Sequence, residues 1–336
     1  MPVKFLASPC KRFLCVTPYI AYKYFTLTDY LPCMKKHTSF LAGCMYVLLT
    51  TLVFGRANAQ GLLLDSGTKA VLVARQFTFT EGPAVDKKGN IFFTDQPNNK
   101  IWEYDVNGKL SVFMDGTHRS NGMYFDAKGN LVTCADERGQ LLRISPSHQV
   151  TALLNDYQGH QLNGPNDLWI APNGGIYFTD PYFQRDYWER KGPDPNIPGE
   201  KLYYLAPGQH QAQLADTTVK KPNGIVGTPD GKYLYVADMG DWKTYRYSIA
   251  PNGSLTNKQL FAPEASDGMT IDERGNIYLT NNGVAIYNPT GHKIAHIDIP
   301  EKWTSNICFG GKDKKLLFIT ASEAVYTVRM QVHGVE

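Results

Sequence analysis

Six positions in this chain place an oxygen-bearing side chain at the head of a short apolar run: Glu81, Asn121, Asn166, Asn223, Asp267 and Asn306. They recur with a period of roughly 40 residues, and glycine usually follows, as in Glu81-Gly82, Asn121-Gly122, Asn223-Gly224 and Asp267-Gly268. If equivalent positions of the repeats face one point, two carboxylates and several amide carbonyls converge there. An all-oxygen cluster without Cys or His suits a hard cation. Calcium tolerates irregular oxygen ligation better than magnesium, although Zn2+, Mn2+ and Mg2+ also accept such donors. Taken singly, each opener also reads as a turn cap, because Asn or Asp before Gly often does no more than close a turn. Six turn caps have no need to include a Glu and an Asp among amides on a shared axis, so metal binding is the chemistry announced first.

Convergence needs an architecture that supplies it. After each opener come a short apolar strand, a turn rich in Asp, Lys, Gly and Asn, and a second strand such as residues 91–94, 176–179 or 277–280. The first repeat continues through strands at 100–104 and 110–114, with Asp-Lys-Lys-Gly-Asn and Val-Asn-Gly as hairpin turns. This pattern predicts an all-β fold, a six-bladed β-propeller with four antiparallel strands per blade, whose innermost strands ring one axis. The sixth repeat stops after three strands, whereas residues 70–74 (Ala-Val-Leu-Val-Ala) have strand character and no blade of their own. That N-terminal strand is expected to close the last blade and leave no unpaired edge. In the third repeat, residues 183–200 are inserted after the second strand, with Pro193, Pro195 and Pro198 among Phe183, Tyr187 and Trp188. The insert reads as an ordered loop, either a surface excursion or a wall of a pocket at the mouth.

Composition narrows the function classes. The chain has 34 basic and 31 acidic residues, but positions 1–59 hold seven of the former and one of the latter, leaving 27 against 30 beyond. No electrostatic footprint for nucleic acid remains. From Met34 the chain reads as a secretory signal peptide: Lys35 and Lys36, an apolar stretch over 40–54, then Ala57-Asn58-Ala59 as a cleavage site. The expected organisation is therefore 1–33 upstream of the true start, 34–59 signal peptide, and 60–336 a single propeller domain, periplasmic or secreted and not membrane-bound after cleavage. Leu41-Ala42-Gly43-Cys44 matches a lipoprotein box, yet the apolar stretch mostly follows Cys44 instead of preceding it. Beyond the leader only Cys134 and Cys308 remain, in non-adjacent repeats, and they read as core thiols without a disulfide.

Five motifs in order carry a resemblance: Glu-Gly-Pro at 81–83, Leu-Asn-Gly-Pro-Asn-Asp at 162–167, Thr-Asp-Pro-Tyr at 179–182, Pro-Asn-Gly at 222–224 and Ser-Asp-Gly-Met at 266–269. Over about residues 70–330 the chain resembles the gluconolactonase and regucalcin (senescence marker protein) family. The resemblance implies a six-bladed propeller that holds a divalent metal and hydrolyses sugar lactones. It further implies Glu81, Asn223 and Asp267 as metal ligands, with Asn166 as a ligand or a substrate contact. One departure stands out: regucalcin-type members carry Arg two positions before the asparagine matching Asn166, where this chain has Gly164. That leaves the preferred sugar open.

Lactone opening requires stabilisation of an oxyanion and activation of water, and a metal supplies either. Asp267 is the expected general base, with Asp167 or Glu81 as alternatives. Asn121, Arg119, His118 and His160 lie on turns leading into inner strands and are expected, with Asp167 and Tyr182, to contact the sugar. Asp95, Asp180 and Asp238, ending second strands, are expected to serve turns. No Gly-x-Ser-x-Gly elbow is present. The favoured substrate is D-glucono-1,5-lactone or a similar aldonolactone. Two rivals stand beside it: a non-enzymatic binding propeller of the receptor-repeat type, suggested by Phe-Thr-Asp at 93–95 and 178–180, and a paraoxonase-like esterase.

Overall fold

The computed structural model of the chain describes residues 63–335, so the expectations for 1–33 and 34–59 lie outside the described residues. Twenty-four strands form six separate four-stranded antiparallel sheets. Their innermost strands are Thr80–Val85, Ser120–Phe125, Leu168–Ile170, Pro222–Gly227, Met269–Ile271 and Asn306–Gly310. Each of these lies against the innermost strands of its two neighbours, closing a ring of six blades. Among the described residues the only helix is one 3-10 turn, Gln96–Asn98.

Blade six is completed as the repeat count demanded. Its sheet runs Asn306–Gly310, Leu316–Ala321, Ala324–Arg329 and then Val71–Arg75 from the N-terminal side. Val71 pairs with Thr327 and Arg75 with Ala324. Side chains reinforce the seam: Arg75 forms a two-pronged ion pair with Glu301, which also accepts a 2.6 Å hydrogen bond from the Tyr326 hydroxyl.

Local chemistry explains why the chain turns where it does. Asp86 accepts hydrogen bonds from the Lys88 and Asn90 amides on Oδ1 and from Asn90 Nδ2 on Oδ2, all within 2.9 Å, and so holds the hairpin between the first two strands. Asp126 and Asp272 repeat the arrangement in blades two and five. Between blades, apolar side chains interdigitate. Phe93 of blade one meets Phe318 of blade six at 5.4 Å between centroids, and Phe178 stacks on Tyr203 at 5.3 Å in blade three. Full burial of such rings contributes about 2–3 kcal/mol each, which makes the inter-blade faces the main source of cohesion. Cys134 and Cys308 sit in separate core clusters and form no disulfide, as expected.

The openers break the regular ladder. In blades one, two and four the register between the first two strands shifts across Glu81/Ala84, Ser120/Met123 and Pro222/Ile225. A bulge of this kind re-aims side chains, and here it falls on Glu81, Asn121 and Asn223. The glycine after an opener has a packing reason: a Cβ on Gly82 would lie 2.0 Å from the Asn121 carbonyl oxygen, and one on Gly268 would lie 2.0 Å from the Asn306 side chain. In blades one, two, four and five the glycine after the opener thus backs onto the opener of the next blade.

Candidate metal and substrate site

The second strands hold the openers in place through the threonines and aspartates near their ends, which have separate partners. Thr94 Oγ1 donates to the Asn121 carbonyl, and Thr280 Oγ1 donates to the Gly268 and Ser305 carbonyls, tying adjacent blades together. The following carboxylates face the entry loops instead. Asp95 accepts from the amides of Thr78 and Phe79, Asp180 from Asn163 and Gly164, and Asp238 from Lys220 and Lys221. In all three blades the donors are the second and third residues before the opener. These aspartates therefore fix the approach to the ring, the turn role expected of them.

Glu81, Asn121, Asn166, Asn223, Asp267 and Asn306 are all buried. Asn223 Nδ2 donates to Asp267 Oδ1 at 2.8 Å, and the indole N–H of Trp303 donates to Asp267 Oδ2. Asn306 Nδ2 lies 3.4 Å from both Glu81 Oε2 and Asp167 Oδ2, so blades one, three and six meet at the axis. Asp167 occupies the position that is glycine in blades one, two, four and five, which adds a third carboxylate. Burial pushes the Asp267 carboxyl up to about 6, against the opposing hydrogen bonds of Trp303 and Asn223. Burial, then the negative charge of Asp267, hold Glu81 well above the usual carboxylate range. Three acids held this close resist ionising together without a cation.

Fit to a metal is tested by the remaining donors. The side-chain carbonyl oxygens Asn121 Oδ1 and Asn223 Oδ1 are buried without a hydrogen-bond partner. A buried polar atom left unpaired costs about 1–3 kcal/mol, and coordination of a cation would satisfy it. Among the described residues there is no cage of three or more His, Cys, Asp or Glu side chains. The candidate set is instead mixed, carboxylates of Glu81 and Asp267 with amide oxygen of Asn223, and such donors suit a hard cation.

The expected sugar contacts have varied surroundings. Arg119 follows His118 in a turn where both residues have left-handed φ values of 57° and 55°. Asn99 Oδ1 holds that strained turn, accepting from the amides of Thr117 and Arg119. The Arg119 guanidinium donates to the Pro97 carbonyl and lies 4.4 Å from the Tyr187 ring centre. His160 Nδ1 lies 3.3 Å from Asp194 Oδ2, and none of its recorded side-chain contacts is with the ring. Tyr182 donates its hydroxyl to Gln184 and packs 5.7 Å from Trp188.

The blade-three insert lies on the mouth side. Its Trp188 is buried, Arg190 bonds back to the Leu162 and Asn163 carbonyls, and Tyr187 and Arg185 both reach Asp136 of blade two. Of the two readings open for it, the structure supports a wall beside the ring. Sequence reasoning missed Trp303, Arg185 and Asp136. Each sits outside the repeat pattern, and only tertiary packing brings it to the site.

The profile of the SMP-30/Gluconolactonase/LRE-like region matches residues 36–155 and 79–323. The chain belongs to this family. A relative within it, the gluconolactonase of Zymomonas mobilis, is 30% identical over 303 residues, covering 81% of this chain and 84% of its own. The solved structure of a gluconolactonase from Xanthomonas campestris superposes with a TM-score of 0.74 at 28% identity, covering 81% of this chain and 92% of its own. The fold also extends to a calcium-binding regucalcin from Agrobacterium tumefaciens, at 17% identity and a TM-score of 0.65, covering 80% and 95%. The motifs of the SMP-30/gluconolactonase family, Glu-Gly-Pro at 81–83 and Ser-Asp-Gly-Met at 266–269 among them, are thus the ones the propeller brings to its axis.

Proposed function

We propose that the protein is an exported, metal-dependent sugar lactonase that opens D-glucono-1,5-lactone, or a similar aldonolactone, to the aldonic acid. Membership of a family with gluconolactonases of known fold supports lactone hydrolysis. The observation that carries the metal and the site is the Asn223–Asp267 pair, in which the amide nitrogen is engaged while its oxygen is buried and unpartnered. Glu81, Asn223 and Asp267 would hold the cation, with Asn166 and Asn121 as further oxygen donors. A divalent cation there supplies Lewis-acid polarisation of the lactone carbonyl and acidification of water.

The chain's own groups account for the rest. Asp267 Oδ1 and Oδ2 are oriented by Asn223 and Trp303, so the carboxylate is fixed in position to take a proton from the attacking water. Water adds to the carbonyl carbon, the ring C–O bond breaks, and the released alkoxide receives a proton to become the free hydroxyl. Asp167 would hold a substrate hydroxyl from the blade-three side. The signal-like segment at 34–59 supports a periplasmic or secreted location. Calcium is the preferred cation because the donors are all oxygen and irregular in number.

The test is the initial rate of D-glucono-1,5-lactone opening, corrected for spontaneous hydrolysis, after chelation and after restoring calcium, zinc, manganese or magnesium singly. The expected result is a rate lost on chelation, restored by one metal and absent in Asp267→Asn. Tight metal binding with no lactone opened under any condition would make the cation structural and favour a binding propeller.

A further inference from the structure

Where the blade-three loop approaches the ring, Gly164 carries no side chain. A Cβ at that position would come within 3.0 Å of the Trp188 indole, so the insert occupies the space that a side chain on the loop would take. The insert is bolted there. The Arg190 guanidinium lies 4.0 Å from the Trp188 ring centre and bonds to the carbonyls of Leu162 and Asn163, which immediately precede Gly164.

Arg185 is the cation that this strap brings to the mouth. Its Nε bonds to Asp136 Oδ2 at 3.2 Å, and Asp136 is itself buried. Asp136 also accepts from Gln96 Nε2 at 2.8 Å and from the Tyr187 hydroxyl at 3.0 Å, so it is fixed from three sides. The guanidinium is thus hydrogen-bonded along one edge, with its carbon 5.6 Å from the Phe183 ring centre. Among the described residues neither Nη forms a hydrogen bond, and the side chain is 24% exposed. A planar fork held at Nε with both Nη groups available is built to donate to paired oxygens. The strap that carries it packs on the loop leading into Asn166, with Trp188 against Gly164 and Arg190 on the Asn163 carbonyl.

We propose that Arg185, carried on the blade-three strap and anchored to Asp136, is a substrate-binding residue whose Nη groups donate to oxygens of the bound lactone and of its carboxylate product. The inference rests on the lactonase reading above. It assigns specificity to a residue outside the repeat and makes the strap part of the sugar site. Because the fork suits a carboxylate better than a neutral hydroxyl, the same contact makes the aldonate product a competitive inhibitor.

The experiment compares the wild-type protein with Arg185→Gln and Arg185→Lys in lactone kinetics, calorimetric binding of D-gluconate, and calorimetric titration with calcium. Lysine keeps the charge beside Asp136 and loses the fork, so it reports if the glutamine variant fails to fold. Both variants are expected to raise KM about 10-fold or more, as loss of a hydrogen bond from a charged donor implies, with kcat changed less than about 3-fold by the same principle. Gluconate binding weakens in parallel, while calcium still binds, more tightly in the glutamine variant because a nearby positive charge is gone. Unchanged KM and gluconate affinity overturn the proposal, as does a collapse of kcat at constant KM. A wild type that binds gluconate through Arg185 without opening lactone refutes the lactonase reading and keeps this one. Absence of gluconate binding in a wild type that opens the lactone overturns this proposal and leaves the lactonase reading standing.

Discussion

At the scale of single residues the site is governed by Asp267, whose two oxygens face Asn223 and Trp303 and whose carboxyl is raised to about 6 by burial. A group held above its ordinary value binds protons more tightly in the folded chain than in the unfolded one. Its contribution to stability is therefore present below the unfolded value near 4 and lost as pH rises through about 6. The metal-free protein is expected to lose stability as pH rises from about 4 through about 6 in urea unfolding, and calcium should restore it at pH 8, where the carboxylate is charged. An equal loss with and without calcium would contradict this. Calcium affinity should likewise weaken below about pH 6, with proton release in calorimetry. Trp303→Phe removes a donor to the charged form, so the acid limb of the pH–rate profile should move upward by roughly half to one unit, the equivalent of one hydrogen bond of about 1 kcal/mol. The openers were legible in the sequence because a side-chain oxygen at a fixed place in every repeat is a pattern. Trp303 was not, because it reaches Asp267 from a loop whose counterparts in the other blades carry unrelated residues at that position, such as Glu264 and Lys220.

At the scale of elements, the bulged openers and the glycines behind them decide how closely the blades approach. Gly82→Ala should cost more than about 3 kcal/mol, because the new methyl meets a backbone oxygen and the residue is left-handed, with φ at 41°. Gly129→Ala is the control: its φ is 82°, but nothing lies within 4 Å of the added carbon, so about 1 kcal/mol is expected. Denaturant midpoints measure both, and equal losses would show that the blade contact is not tight. The strands were readable from short apolar runs and from Asp-x-x-Gly-Asn turns, which need only local chemistry. The insert at 183–200 was readable only as an ordered loop. Its landing on Asp136 and Gly164 depends on an Arg–Trp clamp and a buried carboxylate in another blade, and neither leaves a periodic trace.

At the scale of the whole molecule, one strand from the start of the domain completes a blade otherwise made at its end. Deleting residues 63–75 is expected to lower Tm by roughly 10 °C, a few kcal/mol in a domain of this size, and to promote association through the exposed edge of Ala324–Arg329. Thermal unfolding and light scattering check this; an unchanged, monodisperse ring would show that the seam holds without it. The six-blade count was legible because repeats count themselves, and the closing strand because it was the one left over. The same seam also governs timing. Glu81 and Asn306 meet at the axis although they are separated by 225 positions. Val71–Arg75 leaves the ribosome well before its partner strand, Ala324–Arg329, is made. A chain cut short before blade six therefore lacks both the last opener and the closure that gathers the others, and no fragment inherits a working fraction of the site. Synthesis of blade six is therefore the step that assembles the site.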